Sequence, residues 1–122
     1  MNPKQECKKL INSFRYAIEG FISSFKTERN MKIHVLAMII VIVLGIYVKL
    51  NTIEWCFITF AIALVIGAEL FNTTIETIVD MISPQKNPKA KLAKDISAAA
   101  VLVLAIGAAI IGAIIFIPKI MI

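Results

Sequence analysis

Hydrophobic and polar positions follow two different patterns along this chain. Over residues 4–28, apolar side chains recur at helical spacing (Leu10, Ile11, Phe14, Ile18, Phe21, Ile22, Phe25), broken by Lys8, Lys9, Asn12, Arg15 and Glu19. This is the pattern of an amphipathic helix that lies on a membrane surface. Asn2 and Pro3 suit its start, a capping side chain followed by a residue fitted to the first turn. After the polar elbow TERNMKIH the pattern changes to nearly continuous apolar runs at 33–50, 53–80 and 96–117. Each reaches or approaches the roughly 20 residues that cross a bilayer. The short turn NTIEW, with Trp55 as an interfacial aromatic, makes the first two spans antiparallel neighbours. The sequence MISPQKNPKAKLAKD, with two prolines and four lysines, reads as a basic loop before the third span. That span is rich in alanine and glycine, which permits close helix packing.

Composition agrees with the bilayer as solvent. Of 122 residues, 59% are hydrophobic and the mean hydropathy is +0.85, well above the roughly 45–50% apolar content of a soluble domain. The expected architecture is a single all-α integral-membrane domain over residues 1–122, with a surface helix and three transmembrane helices. The first thirty residues are charged throughout and do not read as a cleavable signal peptide. Of the 13 basic residues, Lys4, Lys8, Lys9, Arg15, Lys26, Arg29 and Lys32 precede the first span, and Lys86, Lys89, Lys91 and Lys94 precede the third. Only Lys49 and Lys119 lie at the other side. The positive-inside rule then places the N-terminus and the basic loop in the cytoplasm, in a multi-pass protein of the cell membrane. Because these charges flank membrane spans, nucleic acid is not an expected partner. Cys7 and Cys56 have no metal or disulfide spacing and read as incidental.

The second span ends in GAELFNTTIETIVD, residues 67–80. At 100° per residue, Asn72, Glu76 and Asp80 fall within roughly 60° of Glu69 around the helix axis. Glu69 lies in apolar sequence, where an ionisable group costs about 2.5 kcal/mol or more, so it should face other helices, water or a ligand. Acids beside a lysine-rich loop suit Mg²⁺ and a phosphorylated ligand: the ion takes one or two carboxylates and completes its shell with phosphate and water. No GxxxxGK[ST] is present and the five glycines form no phosphate cradle, so a nucleotide would be held by side chains. Phosphoryl transfer needs mainly positioning and charge neutralisation, with Glu69, the deepest carboxylate, as candidate base. Ion passage or helix registration by the same stripe fits these residues equally well, which keeps a non-enzymatic transport or assembly protein open. Glu28 by itself reads as a solvated partner of Arg29 or Lys32, and His34 as an interfacial side chain.

GAELFNTTIETIVD followed by a polar loop and AKDISAAAVL, with FRYAIEG and ERN upstream, resembles the small integral-membrane prokaryotic diacylglycerol kinase family. Its members phosphorylate diacylglycerol or, in the Gram-positive-type branch, undecaprenol. The resemblance covers nearly the whole chain and rests on E-x-x-N-x-x-x-E-x-x-x-D together with A-K-D. It implies three transmembrane helices and a surface helix in a homotrimer with composite sites. It also implies Glu69 as catalytic base and Glu28 with Glu76 as ligands of the metal that bridges the ATP phosphates, which reverses the reading of Glu28. Lys9, Tyr16, Gln85, Lys86, Asn87, Lys94 and Asp95 match nucleotide-contacting positions. Lys9, Glu69 and Asn72 would meet the lipid, whose headgroup the surface helix covers. Lys9 stands where the Gram-negative-type branch carries arginine, leaving a point charge without the planar fork. That difference, the loop QKNPK, and ERN and IH at the first-span boundary look more like the undecaprenol kinase branch. Diacylglycerol, which would give phosphatidic acid, is the second substrate candidate.

Overall fold

The computed structural model describes residues 1–122 as four α-helices: α1 (Pro3–Thr27), α2 (Arg29–Tyr47), α3 (Thr52–Ile82) and α4 (Pro88–Ile120). The α1 helix begins with a reciprocal cap: the backbone N–H of Gln5 donates to Asn2 Oδ1 at 2.9 Å, and that of Asn2 donates to Gln5 Oε1 at 3.1 Å. One extended residue, Glu28 (φ −106°, ψ 118°), separates α1 from α2. Its N–H donates to the Ser24 carbonyl at 2.9 Å, while its side chain caps neither helix and makes no ion pair with Arg29 or Lys32. The Glu28 carboxylate is therefore uncommitted. Ser24 is the one buried residue of α1, so that helix meets the rest of the chain near its C-terminal end.

The α2–α3 turn passes through Lys49, which adopts the left-handed conformation (φ 57°). The Leu50 N–H then reaches back to the Gly45 carbonyl at 3.1 Å, closing the end of α2. Asn51 and Glu54 cap α3 reciprocally at 2.9 and 3.0 Å. Trp55 lies over Gly45 so closely that a Cβ there would stand 2.7 Å from the indole ring. Leu50, Ile58 and Phe116 form the buried core of this end, with Val41, Leu44 and Trp55 packed around them. Glu54 also pairs with Lys119 of α4 at 3.1 Å.

Three helices, α2, α3 and α4, are long and apolar enough to cross a membrane. Only 12 of 122 residues are buried, and the outward faces carry Leu36, Ile40, Val43, Phe57, Phe60 and Ile110. Walls of this kind need acyl chains or other copies of the chain against them. The α3 and α4 helices exceed the apolar runs that mark them in the sequence, whereas α2 starts four residues before the run 33–50 and ends three before its end, where the chain turns at Lys49. The expected basic loop is a loop only at residues 83–87, because Asn87 caps α4 through a 2.9 Å bond from the Lys89 N–H and Pro88 fills the first turn. Lys89, Lys91 and Lys94 thus stand on the first turns of a helix that begins eight residues before the apolar run. Hydropathy locates the lipid-immersed part of a helix; capping locates its end.

Candidate active site

The polar stripe of α3 is graded in exposure. Glu69 is 1% exposed and Asn72 5%, whereas Glu76 is half-buried and Asp80 is open. Counted from Thr52, Glu69 stands about 26 Å along the α3 axis at 1.5 Å per residue, and Glu76 stands two turns further on.

Around Glu69, the Thr73 hydroxyl donates to the Glu69 backbone carbonyl at 3.1 Å and lies 3.5 Å from the Ser24 hydroxyl of α1. Asn72 Nδ2 donates to Glu76 Oε1 at 3.4 Å. His34 of α2 approaches from the third side, its Nε2 lying 3.7 Å from Glu69 Oε2. Neither carboxylate oxygen of Glu69 has a hydrogen-bond partner, and neither does Asn72 Oδ1. Each such atom, left buried and unpaired, costs about 1–3 kcal/mol. Ser24 lies four residues before Glu28, so its approach to Thr73 sets the α1–α2 junction beside the polar stripe of α3. No three His, Cys, Asp or Glu side chains close around a single point. Glu28 and Glu76 carry the oxygen ligands that a hard cation such as Mg²⁺ takes when phosphate and water complete its shell.

Beyond this level a polar cavity of ≈ 670 Å³ is lined by Asp80, Gln85, Lys86, Asn87, Lys91 and Lys94, among others. Four of the expected nucleotide residues, Gln85, Lys86, Asn87 and Lys94, share its wall. Lys94 is ion-paired with Asp80. Asp95 is held by Lys91 at 2.6 Å and does not line the cavity. Three lysines at the N-terminus of α4, with no acid in its first turn, add to the positive end of the helix dipole and attract anions. Lys9 and Tyr16 are exposed on α1, and their side chains make no hydrogen bond or ion pair with these groups.

An apolar cavity of ≈ 250 Å³ runs between α2, α3 and α4 and is lined by residues including Met38, Val41, Ile58, Val65, Ala108 and Gly112. His34 is the one polar side chain in its wall. The sequence pattern did not single out His34, because its partner lies on another helix, 35 positions away. Its only signal is that it is the one histidine of the chain, at the head of the first span.

A model of the prokaryotic diacylglycerol kinase family matches residues 15–116. An undecaprenol kinase of Bacillus subtilis (strain 168) is 40% identical over 95% of this chain and 94% of its own length. A diacylglycerol kinase of Synechocystis is 36% identical over 98% of this chain and 69% of its own. One of Haemophilus influenzae is 32% identical over 77% of this chain and 80% of its own.

Proposed function

We propose, since the chain belongs to the prokaryotic diacylglycerol kinase family and is an ATP-dependent lipid kinase, that it transfers the γ-phosphate of ATP to the hydroxyl of undecaprenol with Glu69 as general base. The observation that carries this reading is the buried Glu69 carboxylate without a hydrogen-bond partner, 3.7 Å from His34 in the wall of an apolar cavity and on the same helix as Asp80 in the wall of a lysine-lined one. Lipid arrives from the first cavity and nucleotide from the second. The lipid oxygen forms a bond to the γ-phosphorus as the bond from that phosphorus to the β,γ-bridging oxygen breaks. ADP departs with that electron pair, and the hydroxyl proton moves to Glu69. Glu28 and Glu76 would hold Mg²⁺, which when bound neutralises charge on the β- and γ-phosphates. Lys86, Lys94, Gln85 and Asn87 hold the polyphosphate and nucleoside, with Asp95 fixing Lys91 nearby. Asn72, whose Oδ1 is free, orients the lipid hydroxyl.

The remaining parts of the site are supplied by the membrane and by other copies of the chain. The α1 face bearing Leu10, Phe14, Ile18, Ile22 and Phe25 lies in the acyl boundary, with Lys8 and Lys9 at the headgroups. This brings Lys9 to the lipid headgroup and Tyr16 to the nucleotide. The exposed apolar walls of α2 to α4, and a charged cluster that one protomer leaves half open, support a homotrimer with sites shared between protomers. The excess of lysine and arginine at the site end supports a cytoplasmic N-terminus.

Undecaprenol is preferred to diacylglycerol because the relative covered over nearly its full length is an undecaprenol kinase. The test presents purified protein with both alcohols in one bilayer preparation and with labelled ATP. The expected outcome is a higher kcat/KM for undecaprenol. A higher value for diacylglycerol would overturn the choice of substrate, and label in neither lipid would overturn the kinase mechanism.

A further inference from the structure

The side chains beside Glu69 differ in what they offer its carboxylate. The Thr73 hydroxyl is taken by the Glu69 backbone carbonyl, one N–H of the Asn72 amide by Glu76, and Ser24 faces Thr73. The His34 ring makes no hydrogen bond, and its Nε2 stands 3.7 Å from Oε2. That separation is about 0.5 Å beyond the longest ordinary hydrogen bond, a gap that a small side-chain rotation closes. The ring is partly exposed, with its side chain at 21%, and looks into the apolar cavity, where no other polar group competes for it. A carboxylate without any donor turns freely about its last bond and presents neither oxygen reliably to a substrate.

We propose that His34 is a positioning residue for the base: its Nε2–H donates to Oε2 of Glu69 when substrate is bound, fixing the carboxylate plane so that Oε1 faces the lipid hydroxyl. As the only polar group in the cavity wall, His34 also sets the level at which the lipid chain ends and its hydroxyl begins. The neutral imidazole performs both tasks, and no proton leaves it during transfer. This inference rests on the reading of Glu69 as base.

The test compares His34→Leu, His34→Gln and Glu69→Gln as purified proteins in bilayers, with kcat and the KM values for ATP–Mg²⁺ and lipid measured separately. Positioning at this range is worth about a hundredfold, so His34→Leu should lose roughly that much in kcat with the KM for ATP–Mg²⁺ unchanged. His34→Gln should recover most of the lost rate, because its amide N–H reaches the same oxygen, whereas a purely structural loss would not be repaired in this way. Trp55 fluorescence reports whether each variant folds. If His34→Leu does not fold, His34→Ala with added imidazole replaces it: turnover rising with imidazole supports the role, and no rise overturns it. Near-normal kcat in His34→Leu, or a folded His34→Gln as slow as His34→Leu, would overturn the proposal. Turnover surviving in Glu69→Gln would overturn the base assignment itself. A dead Glu69→Gln beside an undisturbed His34→Leu would overturn only the role of His34.

Discussion

Glu54 and Glu69 are carboxylates of the same helix, fifteen residues apart, and they are treated in opposite ways. Glu54, at the turn end, closes the reciprocal cap with Asn51 and pairs with Lys119. Around it Trp55 covers Gly45, and Leu50, Ile58 and Phe116 are packed. Glu69, at the other end, is more deeply buried, yet neither of its oxygens finds a hydrogen-bond partner within the chain. Where a polar group belongs to the scaffold, the chain satisfies it. At Glu69 the chain leaves it without a partner, which is what the proposed base requires.

This contrast predicts that substitutions at one end change turnover and those at the other change only stability. The largest effect is expected at Glu69→Gln, where loss of a general base lowers kcat by about a thousandfold. The thermal unfolding midpoint should not fall, because an amide is easier to bury than a carboxylate without partners. A drop in both would erase the distinction between the two ends. Next come Glu28→Ala and Glu76→Ala, each expected to raise the Mg²⁺ concentration needed for half-maximal rate by about tenfold or more. A Mg²⁺ titration at fixed ATP checks this, and an unchanged midpoint in either variant removes that residue from the metal pair. At the turn end, Gly45→Val forces atoms against the Trp55 ring and should cost about 1 kcal/mol or somewhat more in stability. Its kcat per folded protein should equal that of the parent in label-transfer assays. The smallest effect belongs to Lys119→Met, which removes one partner of Glu54 and leaves the cap intact; differential scanning should find a slightly lower midpoint with kinetics unaltered.

Much of the scaffold could be read from pattern, because lipid imposes a strong and simple constraint on composition. The three apolar runs mark α2, α3 and α4, and Asn2 with Pro3 marks the start of α1. The α4 start was missed by eight residues, since Asn87 and Pro88 extend the helix into water where hydropathy carries no signal. In the site, the burial of Glu69 and Asn72 follows from a helical stripe in apolar sequence, as does the partial exposure of Glu76. Asp80 follows the stripe in angle but not in environment, because at its depth it meets water and Lys94. His34 could not be reached this way, since helical periodicity relates residues of one helix and its partner is on another. The freedom of the Glu28 side chain is likewise a property of the α1–α2 junction, where one extended residue serves both helices.

The length of α3 makes it a ruler. With Asn51 and Trp55 holding one end at the interface, the helix sets how far from that plane Glu69 and Glu76 stand, and the thickness of the surrounding membrane decides what lies at those levels. On the proposed mechanism, a bilayer one helical turn thicker would submerge the lysine-lined cavity, and one as much thinner would raise Glu69 out of reach of the lipid alcohol. Acyl-chain length is thus a variable of the reaction, and turnover in synthetic bilayers of graded length should pass through a maximum.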